Sequence, residues 1–434
     1  MKKQHKLKRW LASASALRRL IVMLIIGLSV FLIGVALSHR FLLTPIFEKI
    51  DVFFTSLVER IFSEPQAPYV KHYIAGALLI LGAYVVYRAI TIFVREIFRI
   101  INPGSESKLT GSYIRKQLLS AGPNIVAIGG GTGLSTLLRG LKTRTSNITA
   151  VVTVTDDGGS SGRLISDKGI LPPGDIRNCL VALADAEKTM TDLFQHRFEG
   201  ASGTLSGHSV GNLLIAAMVD ITGDYDHAVQ EISKVLAIRG RVMPSTLDRV
   251  RLRAEMEDGT EICGETNIVQ SRLRIRRIYL DPDDVKPLPH TLQAIYEADI
   301  IVLGPGSVYT SVIPPLLVPG IADAIVDSTA LKLYICNVMT QPGETDGFTA
   351  SDHIHAIEAN VGKRSFDQVL LNKALPSQFL LKRYAEVGQE FVEPDVDRIR
   401  AMGLRAITAN LISETDLVRH DPVRLADSIL RLAQ

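Results

Sequence analysis

The hydrophobic pattern changes character near residue 120. Before it, apolar residues run on with little polar interruption. LIVMLIIGLSVFLIGVALS occupies Leu20 to Ser38, and YIAGALLILGAYVVY begins at Tyr73 and continues apolar past Arg88. Runs of this length predict two helices that cross a bilayer, over residues 20–38 and 72–93. Arg88 can snorkel to the headgroups. The small residues Ala36 and Ser38 leave a cleaved signal peptide as the rival reading of the first run, and the second run favours an anchor. Between the two, IFEKIDVFFTSLVERIF has apolar residues at helical spacing and is expected to lie along the outer membrane surface.

After a polar connector over residues 101–122, the pattern from Pro123 onward is short apolar runs, each followed by a glycine-rich turn and a helical stretch. NIVAIGGGTG reads as strand then loop, with LSTLLRGL as the helix behind it. NITAVVTVTDDGG reads as the second strand, and ADIIVLGPGS and LKLYICNVMTQPGET as later strand-to-loop junctions. Between Arg249 and Leu280 the texture alternates around Asp258-Gly259, which predicts a hairpin and a further strand as a β-rich insertion. The expected organisation is an N-terminal membrane anchor over residues 1–100, a linker over 101–122, and an α/β domain over 123–434 with a mostly parallel sheet.

Charge sharpens the membrane expectation. Lys2, Lys3, Lys6, Lys8, Arg9, Arg18 and Arg19 precede the first span, and Arg88, Arg95, Arg99, Lys108, Arg115 and Lys116 follow the second. The positive-inside rule then puts both termini in the cytoplasm. With 48 basic and 45 acidic residues, the whole chain carries only +3, too even for a nucleic-acid binder. Cys179, Cys263 and Cys336 lie far apart without C-x-x-C pairing, which fits a reducing compartment and neither a zinc site nor a disulfide framework.

The glycine-rich loops carry the candidate chemistry. GGGTG, with Gly130, Gly131, Thr132 and Gly133, follows a strand and opens a helix, so backbone amides and the helix dipole can meet a phosphate. Its spacing is not G-x-G-x-x-G, which disfavours NAD. In TVTDDGGSSGR, Asp156 and Asp157 are expected to end the second strand, where an acid meets a ribose hydroxyl or helps hold Mg²⁺. Gly159, Ser160, Ser161 and Arg163 then offer amides, hydroxyls and a guanidinium to an anion. In LPPGDIRN, Asp175 is expected to cap a helix and to share a face with Asn178, Arg177 pointing elsewhere.

GHSVGN matches G-x-S-x-G, the turn that exposes a hydrolase's serine, here Ser209. A nucleophile elbow needs a hydrophobic strand running into it, whereas HRFEGASGTLS is polar and glycine-rich. The apolar NLLIAAMVDI behind it makes Ser209 a residue at a helix start, with His208 and Asn212 around it. GPGSVYTS, with Gly304, Gly306 and Ser307, is a further loop at a helix start, and Phe348 can stack on a base. Loops leaving the carboxyl ends of strands in an open α/β sheet share one crevice, and this set suits a phosphorylated ligand.

GGGTGLS, TVTDDGGSSGRL, LPPGDIRN, GHSVGNL, GPGSVYTS and NVMTQPGETDGFTASDH, in that order, resemble the bacterial gluconeogenesis-factor family of the YvcK type, related to the CofD 2-phospho-L-lactate transferases. The resemblance covers about Pro123 to Gln434. It implies a Rossmann-like CofD-type fold and binding of a UDP-sugar of the UDP-N-acetylglucosamine type. It also implies a regulatory role in cell shape and envelope maintenance during gluconeogenic growth. The ligand loops it implies are Gly130 to Gly133, Asp156 to Ser161, Asp175, Asn178, His208 to Asn212, and Gly304 to Ser307. Expected partners are the inner membrane, envelope-synthesis proteins and a second copy of the chain. The alternative it implies is a Mg²⁺-dependent phosphotransferase with Asp156 and Asp157 as metal ligands. A serine hydrolase is the minor alternative.

Overall fold

The computed structural model describes residues 22–35, 37, 44–62, 67–101, 117–185, 188–198, 205–414 and 418–433. They fall into two compact units, Met1–Tyr113 and Ile114–Gln434.

The first unit contains helices α1 (Val22–Val35), α2 (Thr44–Ile61) and α3 (Ala67–Ile101). α1 and α3 touch backbone to backbone at glycines. A Cβ on Gly82 would stand 2.5 Å from the Phe31 nitrogen, and one on Gly34 would stand 2.8 Å from the Leu79 nitrogen. Helices that cannot draw on a hydrophobic contrast with their solvent pack in this way, through small residues that permit close approach. Among the described residues one helix is long and apolar enough to cross a bilayer, Tyr69–Phe93. α1 is shorter as described, and Leu20, Ile21, Ala36 and Ser38 of the expected first span lie outside the described residues. α2 exposes Val52, Phe53, Leu57 and Ile61.

The second unit is built on a seven-stranded sheet. Its strands are β1 (Ile125–Gly129), β2 (Ile148–Val152), β3 (Arg241–Pro244), β7 (Ile300–Leu303), β8 (Leu331–Ile335), β9 (Gln368–Asn372) and β10 (Arg405–Ala409). The order is β10-β9-β8-β7-β1-β2-β3, and every adjacent pair is parallel. β1 and β7 are buried on both faces, as parallel strands covered by helices must be. Val126, Ile128, Ile301 and Leu303 enter one core layer, and Ile125, Ala127, Ile300 and Val302 the other. Against the second layer pack α4 (Gly131–Leu141), α6 (Pro173–Leu183) and α10 (Pro422–Leu432). Two further helices frame the site, α5 (Gly159–Lys168) and α7 (Val210–Thr222).

The β-rich insertion is present, on the first core layer. β4 (Arg251–Met256), β5 (Glu261–Cys263) and β6 (Ile275–Asp281) form an antiparallel sheet of order β5-β4-β6, turning at Gly259. Leu252, Ala254, Met256, Ile278 and Leu280 bury its inner face. Helix α8 (Glu265–Ser271) joins β5 to β6, helix α9 (Ala350–Val361) covers the same layer, and a small hairpin of β11 (Ile412–Glu414) and β12 (Val418–His420) ends the chain before α10.

One strand is shorter than the sequence pattern suggests. β2 ends at Val152, so Asp156 and Asp157 stand on a loop four and five residues beyond it. Thr153 still donates its N–H to the Gly129 carbonyl at 2.9 Å. Its hydroxyl then meets that of Thr155 at 3.0 Å, and the chain leaves the sheet.

Candidate ligand site

Sequence order reverses between β1 and β7: β1, β2 and β3 run one way across the sheet, and β7 to β10 the other. At such a switch the loops diverge and leave a crevice. Its wall on one side is Gly130 to Gly133. Gly130 is the N-cap of α4 and brings no side chain there, so the positive dipole end of this helix lies at the crevice, with the Gly131 N–H held by Asp175. Gly131 takes a left-handed φ of +64°, which only glycine adopts without strain. A Cβ on Gly133 would collide with the Pro305 carbonyl, so glycine there lets the β1 and β7 loops touch. The opposite wall is Pro305 to Ser307, pinned by Asn337, whose Nδ2 donates to the Gly306 carbonyl at 2.8 Å and whose Oδ1 accepts from the Gly306 N–H at 3.2 Å. The crevice holds about 360 Å³ and is also lined by Thr340, Gln341, Tyr384, Arg419 and His420. Two buried polar atoms on its lining have no partner among the described residues, Gln341 Oε1 and His420 Nε2.

Beside this crevice lies a group of acids. Asp175 sits inside the first turn of α6 and does not cap it, because Pro172 takes the N-cap position. Desolvation pushes Asp175 up to about 6; the Gly131 N–H that it accepts pulls it down, and Asp156 adds a raising charge. Burial likewise pushes Glu344 up to about 7, against hydrogen bonds from the Thr310 hydroxyl and from the Tyr309 and Thr310 amides. Its Oε2 has no hydrogen-bond partner among the described residues. Glu265 is held well above the carboxylate range by burial first, then by Asp156, Asp175, Glu344 and Asp157. The expected Asp156–Asp157 pair points two ways. Asp156 Oδ1 accepts the Gly158 N–H at 3.0 Å, while Asp157 Oδ1 accepts the N–H and hydroxyl of Thr266 at 3.0 and 2.8 Å, holding the start of α8. Among the described residues no group of three or more His, Cys, Asp or Glu side chains is arranged to hold a metal ion.

GHSVGN has a structural role. Ser209 is 0% exposed and caps α7, accepting the Asn212 N–H at 3.2 Å. Arg177 does not point elsewhere. Its Nη1 donates to Ser209 Oγ at 2.5 Å and to Asn212 Oδ1 at 3.0 Å, and its Nη2 donates to Asn178 Oδ1 at 2.9 Å. His208 pairs with Ser160 at 2.9 Å, which Asn212 Nδ2 also reaches at 3.0 Å. Burial and then Arg163 lower the His208 pKa. A buried serine held by a cation, with no base on it among the described residues, lacks the arrangement of an activated nucleophile, which argues against the hydrolase alternative.

The crevice therefore gathers Gly130 to Gly133, Gly306 and Ser307, with Asp175 against Gly130 and Gly131. Gly304 is the first residue of the β7 loop, at φ +74°. Ser160 and Ser161 are buried, and Gly159 and Arg163 face a separate cavity. Phe348 does not line the crevice; it packs edge-on against Tyr309 and His353, at 6.4 and 5.6 Å between ring centres. The aromatic ring at the crevice belongs to Tyr384, whose hydroxyl accepts the Val418 N–H at 3.0 Å. Tyr384, Gln389, Arg419 and His420 escaped sequence reasoning because no glycine-rich motif surrounds them; Tyr384 comes from the helix Gln378–Ala385, Gln389 from the loop after it, and Arg419 and His420 from β12 of the folded-back hairpin.

A family model described as 2-phospho-L-lactate transferase CofD matches residues 125–412. A relative from Nostoc sp. is 48% identical over 427 residues, covering 98% of this chain and 92% of its own length. The gluconeogenesis factor of Bacillus subtilis is 49% identical over 311 residues, covering 71% of this chain and 98% of its own. This chain belongs to the gluconeogenesis-factor branch of the CofD family. The fold agrees: a crystal structure of a UPF0052-family protein from Bacillus halodurans, 51% identical, superposes with a TM-score of 0.69 over 71% of this chain and 99% of that one. The Bacillus subtilis factor spans nearly its whole length within 71% of this chain, whereas the Nostoc relative also aligns with the N-terminal segment.

Proposed function

We propose that this chain binds a nucleotide sugar of the UDP-N-acetylglucosamine type in the β1/β7 crevice and acts as a regulator of cell shape and envelope maintenance during gluconeogenic growth. The observation that carries this reading is the glycine-rich N-terminus of α4 facing the Pro305–Ser307 loop, a pair of backbone walls suited to a diphosphate, with Asp175 holding the Gly131 N–H. Tyr384 supplies a ring for a base, Arg419 a charge for a phosphate, and the unpaired Gln341 Oε1 and His420 Nε2 supply polar contacts for a sugar or base. Titration of the full chain with UDP-N-acetylglucosamine should give single-site heat, weakened about tenfold or more by Arg419→Ala. No heat with any uridine diphosphate ligand contradicts the reading.

A phosphotransferase of CofD type is the second reading. It is favoured by Asp175 and Glu344, buried carboxyls pushed up to about 6 and about 7, the range in which a carboxyl can move a proton near neutral pH. Mg²⁺ fits poorly here, since Asp156 and Asp157 engage different partners. Incubation with a deazaflavin acceptor and an activated phospholactate donor separates the two: product supports transfer, and none leaves the binder.

The same reading takes α1 and α3 as an inner-membrane anchor with both termini in the cytoplasm, holding the ligand-binding unit close to envelope-synthesis proteins. The length and apolar character of Tyr69–Phe93 support it.

A further inference from the structure

A second cavity, about 430 Å³, lies between α5 and the insertion, and no residue lines both it and the crevice. Its floor is apolar, with Val154, Ile165, Leu171 and Val250. Arg163, Arg249 and Arg251 stand on it, and none of the three pairs with a carboxylate among the described residues. Other arginines of the fold are neutralised by an acid. Two residues along β4, Arg253 pairs with Asp281 at 3.3 Å, and Arg239, Arg276 and Arg364 each hold an acid.

Two of the guanidiniums are seated on glycines. Gly169 ends α5 in the left-handed region, and a Cβ there would stand 2.5 Å from Arg249 Nη2. Gly207, also left-handed, lies under Arg163, where a Cβ would stand 3.0 Å from Nη2. Side chains at either position would displace the charge that now faces the cavity. The polar acceptors on the opposite wall are Asp157 and Asn267. Asp157 uses Oδ1 on Thr266, and Asn267 uses Nδ2 on the Cys263 carbonyl, leaving one oxygen of each to accept from a ligand.

We propose that this cavity binds a hydroxylated organic phosphate, of sugar-phosphate size, as a second ligand independent of the crevice. Three unpaired arginines match a phosphate dianion, because the planar guanidinium fork meets its oxygens two at a time. The Asp157 carboxylate oxygen and the Asn267 amide oxygen match hydroxyl donors, and the apolar floor matches the face of a carbon ring. The volume falls in the range of small-molecule sites, roughly 300–1,000 Å³.

The test is titration of the full chain with glucose 6-phosphate, with orthophosphate and glucose as comparisons, alone and after saturation with UDP-N-acetylglucosamine. Glucose 6-phosphate should bind at least about tenfold more tightly than either comparison, and saturation of the crevice should leave a site for it. Arg249→Ala and Arg251→Ala, both on the exposed surface, should each weaken glucose 6-phosphate about tenfold while leaving the UDP-N-acetylglucosamine heat unchanged. No binding of glucose 6-phosphate to the unaltered chain, full competition by UDP-N-acetylglucosamine, or undiminished binding in both variants overturns the proposal. The glucose 6-phosphate titration stands by itself, so a failure of the crevice reading would appear separately.

Discussion

Glu344 shows how a single side chain ties stability to the site. It is 7% exposed and its pKa is pushed up to about 7 from 4.5. The folded protein therefore holds this proton more tightly than the unfolded chain. The associated stability is fully present below the ordinary carboxylate value and is lost as pH rises through 7, amounting at pH 8 to at most about 3 kcal/mol. Glu344→Gln keeps an acceptor for Thr310 and removes the charge, so it should raise the melting temperature by several degrees at pH 8 and by much less at pH 5. Equal shifts at both pH values would contradict this. Residues such as Glu344 and Arg177 were only partly legible in sequence. Arg177 acts on Ser209 and Asn212, 32 and 35 positions away, and helical spacing within α6 says nothing of that. Ser209 itself was legible, because the polar approach and the apolar helix behind it already excluded an elbow.

At the scale of elements, the strands were readable because β1, β2, β7 and β8 are short apolar runs ended by glycine or polar turns, and the insertion because its alternation surrounds Asp258-Gly259. The end of β2 was not, since Thr153 and Val154 carry strand-like residues past the point where the ladder stops. Which aromatic ring lines the crevice was not legible for a related reason. Phe348 stands beside a glycine-rich loop yet turns into the core with Tyr309, while Tyr384 is brought in by a helix with no motif of its own. The hairpin of α1 and α3 carries its own prediction. Alkaline carbonate should leave the full chain in the membrane pellet, and Gly82→Leu, which pushes a side chain into the Phe31 backbone, should make the α1–α3 region markedly more protease-sensitive there. Quantitative release of the unaltered chain by carbonate would remove the anchor.

For the whole molecule, the parallel order β10-β9-β8-β7-β1-β2-β3 follows from one repeated unit, strand then crossover helix, laid down in two directions from β1. That reversal, which no local stretch of sequence encodes, turns scattered glycine loops into a single crevice. The loops were legible and their resemblance to gluconeogenesis factors held; the division into a crevice, an acid group and a separate arginine-lined cavity required three dimensions. The most direct measurement is a crystal structure with UDP-N-acetylglucosamine. The diphosphate should lie between Gly130–Gly133 and Pro305–Ser307, with the uracil against Tyr384. Density for the nucleotide elsewhere on the molecule, or an empty crevice at saturating ligand, would contradict the account.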